Sequence, residues 1–469
     1  MTAQKNNKPS IYQLFKQALS GNIEQDFTQG SIGTAAFLLS VPMVLEMAME
    51  SVFAITDIFF VSGLGATAVA VVGLTEAVIT LLYAVAIGFS MGVTATVARR
   101  IGEKNLEAAN IVAGQTLWIG LVVALIVGVL GVNYAGDILQ LMGVEDDVLA
   151  TGKSYTSIML GGSVTILYLF LINALFRGAG DATVAMRSLW LANGINIVLD
   201  PLLIYGVGPF PEMGVTGAAV ATNIGRGIGV LYQLYHLRGH VSRLALRLHH
   251  LKFVPQVALG IAKVSLGGML QFIIATASWV ALVRIVSAYG SAAVAGYTIA
   301  VRVIMFTILP SWGMSNAVAT LVGQNLGAKQ PERAEQSVWK VARYNLYFML
   351  FVAVIFICFA EQIIGIFTTV PAVMEYGVAC LRYISYGYGF YGIGMIVVQA
   401  FNGAGDTMTP TKINFLCYWL FQIPLAYWLA HSMQQGPDGV FMAITLAESL
   451  IAIVGVVVFR RGQWKLQSV

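Results

Sequence analysis

Residues 35–62 carry three carboxylates, Glu46, Glu50 and Asp57, in a stretch whose other side chains are uncharged. Spacings of four and seven put them on one stripe of a helix. Eleven residues at about 1.5 Å each separate Glu46 from Asp57 by about 16 Å along the axis. A charged side chain at the centre of a spanning helix costs about 2.5–3.5 kcal/mol and faces protein or a water-filled cavity. Such a ladder could pass protons or cations toward the midplane. The structural alternative is that Glu46 and Glu50 pair with Arg226 or Arg302. A second group follows the same logic. Asn196 and Asp200 share a helical face four residues apart, and Pro201 removes a backbone donor and so frees a carbonyl nearby. If Asp57 and Asp200 meet, burial and like charge both disfavour two negative charges. One proton or one Na⁺ then neutralises the pair, which would convert a membrane potential into a conformational bias. Glu76 is a further candidate relay, with Tyr83 two turns on; its alternative is a hydrogen bond to a neighbouring helix. Arg226, Arg302 and Arg382 are read as cations that hold the carboxylates.

Other patterns carry less. The sequence contains no HExxH, GxSxG or GxxxxGK[ST] motif, and Gly225-Arg226-Gly227-Ile228-Gly229 follows no strand, so it reads as close helix packing. His236 and His240 have i,i+4 spacing, which could bind a metal, but the segment reads as a solvated interfacial linker near anionic lipid headgroups. Cys358, Cys380 and Cys417 are widely spaced in apolar stretches and read as inert small hydrophobes. An intramembrane enzyme would need a nucleophile–base pair or metal cluster, and none is visible, so no enzyme activity and no cofactor are expected.

These residues sit in a chain of 469 residues that is 58% hydrophobic and only 10% charged, with a net charge of +4. Ordinary soluble domains carry roughly 25% charged residues, so the apolar surplus must face lipid. Stretches of about 20 apolar residues recur twelve times, near 35–62, 67–93, 111–134, 154–176, 186–207, 214–236, 258–284, 292–318, 341–361, 378–401, 411–431 and 438–459. Lysine and arginine concentrate on alternate connections: Arg99, Arg100 and Lys104 follow the second span, and Lys329, Arg333, Lys340 and Arg343 follow the eighth. The opposite connections hold Lys153 and Arg284 among Asp137, Glu145, Asp146, Asp147, Glu212, Glu361 and Asp438. That bias predicts both termini in the cytoplasm of a cell (inner) membrane. Residues 1–30 are polar, so no signal peptide is expected, and 10–20 read as an amphipathic helix on the inner surface.

The chain also repeats itself. Phe176-Arg177-Gly178-Ala179-Gly180-Asp181 matches Phe401-Asn402-Gly403-Ala404-Gly405-Asp406 at a shift of 225 residues. The same shift pairs Gly65 with Gly290, Gly88 with Gly313, Gly102 with Gly327, Lys104 with Lys329 and Gly214 with Gly439. Asp181 and Asp406 read as helix N-caps. Internal repeats are common in secondary transporters, which place the substrate site between the halves. The expected fold is therefore all-α and polytopic, with twelve transmembrane helices in two six-helix lobes about a pseudo-two-fold axis along the membrane normal. The divisions are a segment 1–30, an N-lobe 31–236, a basic linker 237–257, a C-lobe 258–460 and a tail 461–469. The shift maps Asp57 onto Leu282, Asn196 onto Phe421 and Asp200 onto Leu425, so the ionisable chemistry is expected in the first half.

Leu39-Ser40-Val41-Pro42, Thr56-Asp57-Ile58-Phe59-Phe60-Val61, Asn196-Ile197-Val198-Leu199-Asp200-Pro201 and the paired GAGD motifs, in this order, resemble the MATE (multidrug and toxic compound extrusion) transporters. The resemblance covers the chain after residue 30 and is nearer to the DinF-like than to the NorM-like branch. It implies two lobes around a V-shaped cavity and export of organic, often cationic or aromatic, compounds driven by H⁺ or Na⁺. It places the cation-coupling residues at Asp57, Asn196, Asp200 and Thr222, where Na⁺ would find hard oxygen ligands, and a helix-bending proline at Pro42. Residues 258–284 hold no acidic side chain, so the C-lobe cation site of the NorM-like branch is expected to be absent. The implied partners are small organic molecules and membrane lipids, without nucleic acid, and a monomer is expected. A flippase for a lipid-linked precursor is the alternative on the same two-lobe plan.

Overall fold

The computed structural model describes residues 10–21, 25–143, 146–239 and 242–469. Ser10 opens α1 (Ile11–Ser20) with a capping box to Gln13. One face of α1 docks through buried Ala18, and Ile11 and Tyr12 stay exposed. Then follow α2 (Ile32–Ser62), α3 (Ala66–Gly102), α4 (Leu106–Leu141), α5 (Asp146–Gly161), α6 (Ser163–Ala179), α7 (Ala182–Ile204) and α8 (Val215–His236). The second half has α9 (Pro255–Ser287), α10 (Ser291–Gly327), α11 (Pro331–Gly365), α12 (Pro371–Tyr386), α13 (Tyr388–Ala404), α14 (Met408–Asn414), α15 (Ile423–Tyr427) and α16 (Pro437–Arg460). Two π-helical stretches, Phe415–Gln422 and Trp428–Ser432, flank α15 and make one continuous rod with α14. Among the described residues ten helices, counting α5–α6 and the α14–α15 rod once each, are long and apolar enough to cross a membrane. The shorter α8 and the broken pair α12–α13 complete the twelve spans. The helices outrun the expected windows, α3 reaching Gly102 rather than 93, because hydropathy registers only the part in hydrocarbon.

The duplication extends to backbone detail. α6 and α13 both end on a left-handed glycine, Gly180 (φ 88°) and Gly405 (φ 89°), the conformation that glycine alone adopts freely. Lys104 and Lys329 share φ near 58°. The expected spans 154–176 and 378–401 are each interrupted, at Gly162 and Gly387. Asn223 packs into the first break and bonds the Ile158 carbonyl at 3.0 Å; Thr445 packs into the second and bonds the Tyr383 carbonyl at 2.6 Å. This fixes α16 against α8 at a shift of 222, not 225. Gly214 (φ 56°, ψ −140°) accordingly pairs with Gly436 (φ 59°, ψ −143°), and not with Gly439. The loop before α16 is shorter than its counterpart, and an ungapped shift cannot see that.

The halves meet on the face that carries α1 and the C-terminal residues. Added side-chain atoms at Gly102 would overlap the Gln324 backbone, and at Gly327 the Arg99 backbone. This reciprocal contact lies on the pseudo-two-fold axis. Gln324 donates to the Gly178 carbonyl (3.0 Å) and Arg99 to the Ala404 carbonyl (3.2 Å) across the seam. The start of α2 joins the core of the second half, with Leu39 and Met43 packed among residues of α10, α11 and α13. At the far side Ile55, Ile58 and Phe59 of α2 are exposed. Gly102→Val is expected to destabilise the closed seam by about 1–3 kcal/mol through overpacking. The check is a lowered melting temperature in detergent; an unchanged one would show that the seam is open in solution.

Candidate functional site

Asn196 and Asp200 lie one turn apart on α7, and α8 brings Thr222 against them; all three are buried. In the better of its two amide orientations Asn196 donates to Asp200 Oδ2 (3.0 Å). Its oxygen then accepts from Thr222 N (3.0 Å) and Oγ1 (3.1 Å). Pro201 sits inside α7 and leaves the Ile197 carbonyl without its helical donor. Asp57 on α2 interacts electrostatically with Asp200 and with Arg226. The Asp200 carboxylate, the Asn196 amide and the Thr222 hydroxyl form an oxygen-rich cluster, within electrostatic reach of Asp57, that suits a hard monovalent cation or a shared proton. Pro42 is buried within α2, which continues through it unbroken.

Arg226 on α8 donates to Tyr83 Oη (3.0 Å) and lies over the Phe53 ring at 5.8 Å. Its Nη1 has no partner, and it is within the field of Glu50 and Asp57. It is therefore the counter-charge at the heart of the first half. Glu76 on α3 feels Asp57, Arg302 and Arg226. The neighbouring-helix hydrogen bond considered for Glu76 does not form.

Glu46 departs from its expected partners. It meets neither Arg226 nor Arg302 but Arg177 Nη1 (3.4 Å) and Asn173 Nδ2 (3.1 Å), both on α6. α6 runs on to Ala179 and keeps the Arg177 side chain buried inside the protein. Asn173 Oδ1 accepts in turn from Ser188 (2.9 Å) and Gln233 (2.6 Å). Glu50 Oε2 accepts from Asn193 (3.1 Å). Glu46 Oε2 is buried with no partner. Arg382 likewise pairs with Glu361 near the far end of its helix (3.2 Å), away from the cluster.

The one stripe of carboxylates thus serves two stations. Asp57 lies within electrostatic reach of the α7–α8 cluster. Glu46 and Glu50 line a cavity of about 300 Å³ between the halves, at mid-depth above the seam. The second half contributes Phe272, Trp312, Asn316, Gln399 and Asn402, and the first adds Tyr83, Phe170 and Arg177. Sequence reasoning did not select Asn173, Arg177, Gln399 or Asn402 as site residues. One signal was present: Arg177 and Asn402 mark the only difference between the two copies of the repeated hexapeptide.

Other expectations resolve locally. His240 lies outside the described residues, and His236 packs its ring against Tyr232 and Tyr235. The group that gathers metal-type ligands among the described residues is Glu107, His249 and His250. His250 Nδ1 accepts from Arg247 N (2.9 Å), so in the neutral ring Nε2 carries the proton and donates to Glu107 (3.1 Å). That polarity suits a linker clasp and not a metal ligand. Asp181 does not cap α7; its Oδ2 accepts from Ser242 Oγ (2.6 Å) and Arg243 N (2.9 Å) of the linker. Asp406 does cap, bonding Thr409 N (3.2 Å) and Oγ1 (2.7 Å). The second half is not free of buried charge: Glu448 on α16 is buried beside Tyr418.

The MatE family model matches residues 42–202 and again 269–428, one match per half. Over 435 residues the chain is 28% identical to the probable multidrug resistance protein NorM of Thermotoga maritima, covering 92% of this chain and 93% of that one. It is 26% identical over 425 residues to the FAD transporter of Shewanella oneidensis, covering 90% and 93%. Among solved structures, the outward-facing conformation of a multidrug resistance MATE family transporter of the MOP superfamily superposes with a TM-score of 0.88. That match has 26% identity and covers 94% of this chain and 98% of the other.

Proposed function

The chain belongs to the MatE family of multidrug transporters, and from that premise we propose that it is a cation-coupled antiporter whose first half carries the coupling site. The substrates are organic amphiphiles, often cationic or aromatic, held in the cavity between the halves. H⁺ or Na⁺ is taken up at Asp57, Asn196, Asp200 and Thr222, the pattern of the DinF-like branch. The observation that supports the reading is the buried Asn196–Asp200–Thr222 cluster, with Asp57 of α2 within electrostatic reach of Asp200. Bringing one cation there removes the repulsion between two carboxylates, which favours one packing of α2 against α7 over another. Lysine and arginine enrichment supports a cytoplasmic location for the face that carries α1 and the C-terminal residues. On that assignment the closed seam is cytoplasmic, and the cavity belongs to an outward-open state. A lipid-linked pyrophosphate fits poorly, since among the described residues Arg177 is the only cation lining the cavity, against Glu46 and Glu50.

Efflux of a fluorescent cationic dye in inverted vesicles, under separate H⁺ and Na⁺ gradients, tests the proposal. One gradient should drive dye movement in the wild type, and Asp57→Asn should respond to neither. Wild-type rates in Asp57→Asn would remove Asp57 from the coupling site.

A further inference from the structure

Glu448 is the only buried acidic side chain of residues 258–460. The register set by Gly162–Asn223 and Gly387–Thr445 places it where the first half has Arg226. One half therefore holds a permanent cation at this point of the fold, and the other a carboxyl group that can gain or lose its charge.

The surroundings of Glu448 contain no cation. Tyr418, on the π-helical stretch after α14, donates to Oε1 at 3.0 Å. Cys417 from the same stretch and Tyr391 from α13 lie within electrostatic reach. The Tyr388 hydroxyl is engaged with Thr307 (3.3 Å). The Tyr383 carbonyl of α12 is occupied by Thr445, and α9 offers Trp279. His431, farther along the rod, stacks on Tyr427 and is exposed. Beside the carboxyl lies a cavity of about 20 Å³, bounded by Trp279, Tyr388, Tyr391, Thr445 and Glu448. That is room for one water molecule. A lone carboxylate in such a place is costly unless it is neutralised. The one donor it has rides on a π-helical segment, a local structure that recurs at functional sites.

We propose that Glu448 is a proton-binding site of the second half. Its carboxylate takes a proton from hydronium in the adjoining cavity, forming a carboxyl O–H and leaving water, and returns it by the reverse step. Tyr418 then donates alternately to a charged and to a neutral acceptor. The site stands on the geometry of α13, α16 and the π-helical segment, independently of the coupling read at Asp57 and Asp200.

Infrared spectra of the full-length protein in lipid bilayers, recorded from acidic to alkaline buffer, test this. A carboxylic-acid C=O band should grow on acidification, vanish in Glu448→Gln and persist in Asp57→Asn. Tyr418→Phe keeps the carboxyl and removes its donor, so the same band should move to higher wavenumber; this variant also serves if Glu448→Gln fails to fold. The proposal is overturned if wild type and Glu448→Gln have the same spectrum at every pH. It is equally overturned if the Glu448 band keeps full amplitude throughout the range, or if Tyr418→Phe leaves its position unchanged.

Discussion

Asp200→Asn is expected to lower gradient-driven efflux by about 5- to 150-fold while leaving the protein at least as heat-stable as the wild type. Asp200 is fully buried, and Asn196 donates to it. An amide fills the same volume and keeps an acceptor oxygen for that bond. It removes one of the two charges that repel each other between α2 and α7. What disappears is the group whose neutralisation would link the ion to the conformation. Coupling free energies of about 1–3 kcal/mol correspond to factors of about 5–150, so dye efflux should fall by that order. Exchange of dye down its own gradient, which needs no ion, should survive. Efflux and melting temperature measured on the same preparations check both halves of the statement. Gradient-driven efflux at the wild-type rate would exclude Asp200 from coupling, and a large drop in melting temperature would make its role structural.

Breaking the buried Glu46–Arg177 pair in the cavity wall should have the largest effect on stability. Arg177→Met leaves Glu46 with Asn173 as its only partner, in a place where its second oxygen already lacks one. Removing one member of a buried ion pair costs about 3–5 kcal/mol, whereas replacing both by neutral groups of similar size is often neutral or better. Arg177→Met should therefore lower the melting temperature sharply, and Glu46→Gln in the same chain should restore most of it. If the double variant is no more stable than Arg177→Met alone, the cost lies in lost packing of the arginine stem, not in the stranded carboxylate.

Much of this arrangement is legible in the chain. Twelve apolar stretches locate the spans because lipid demands about 20 apolar residues from each helix whatever its neighbours do. The duplicated hexapeptides locate the two halves because both copies end a helix on a left-handed glycine. Asn196 and Asp200 were found together because helical periodicity is local. Thr222 was placed beside them by resemblance, and the α7–α8 packing puts it there.

The rest depended on distance in space. The partner of Glu46 is 131 residues away and was misjudged, since hydropathy does not show that a basic residue at a helix end turns inward. Glu448 lies in the expected span 438–459 and was not singled out; the ungapped shift sets it opposite Asn223. Only the packing of Asn223 and Thr445 into the two helix breaks reveals that its true counterpart is Arg226. By itself, then, the sequence determined what is periodic and local: the spans, the duplication, and the charges too costly to bury without purpose. The tertiary structure alone decided which charges meet. Electrostatic energy depends on separations of a few ångströms and on the dryness of the space between, and helices joined by long rods and short loops set both.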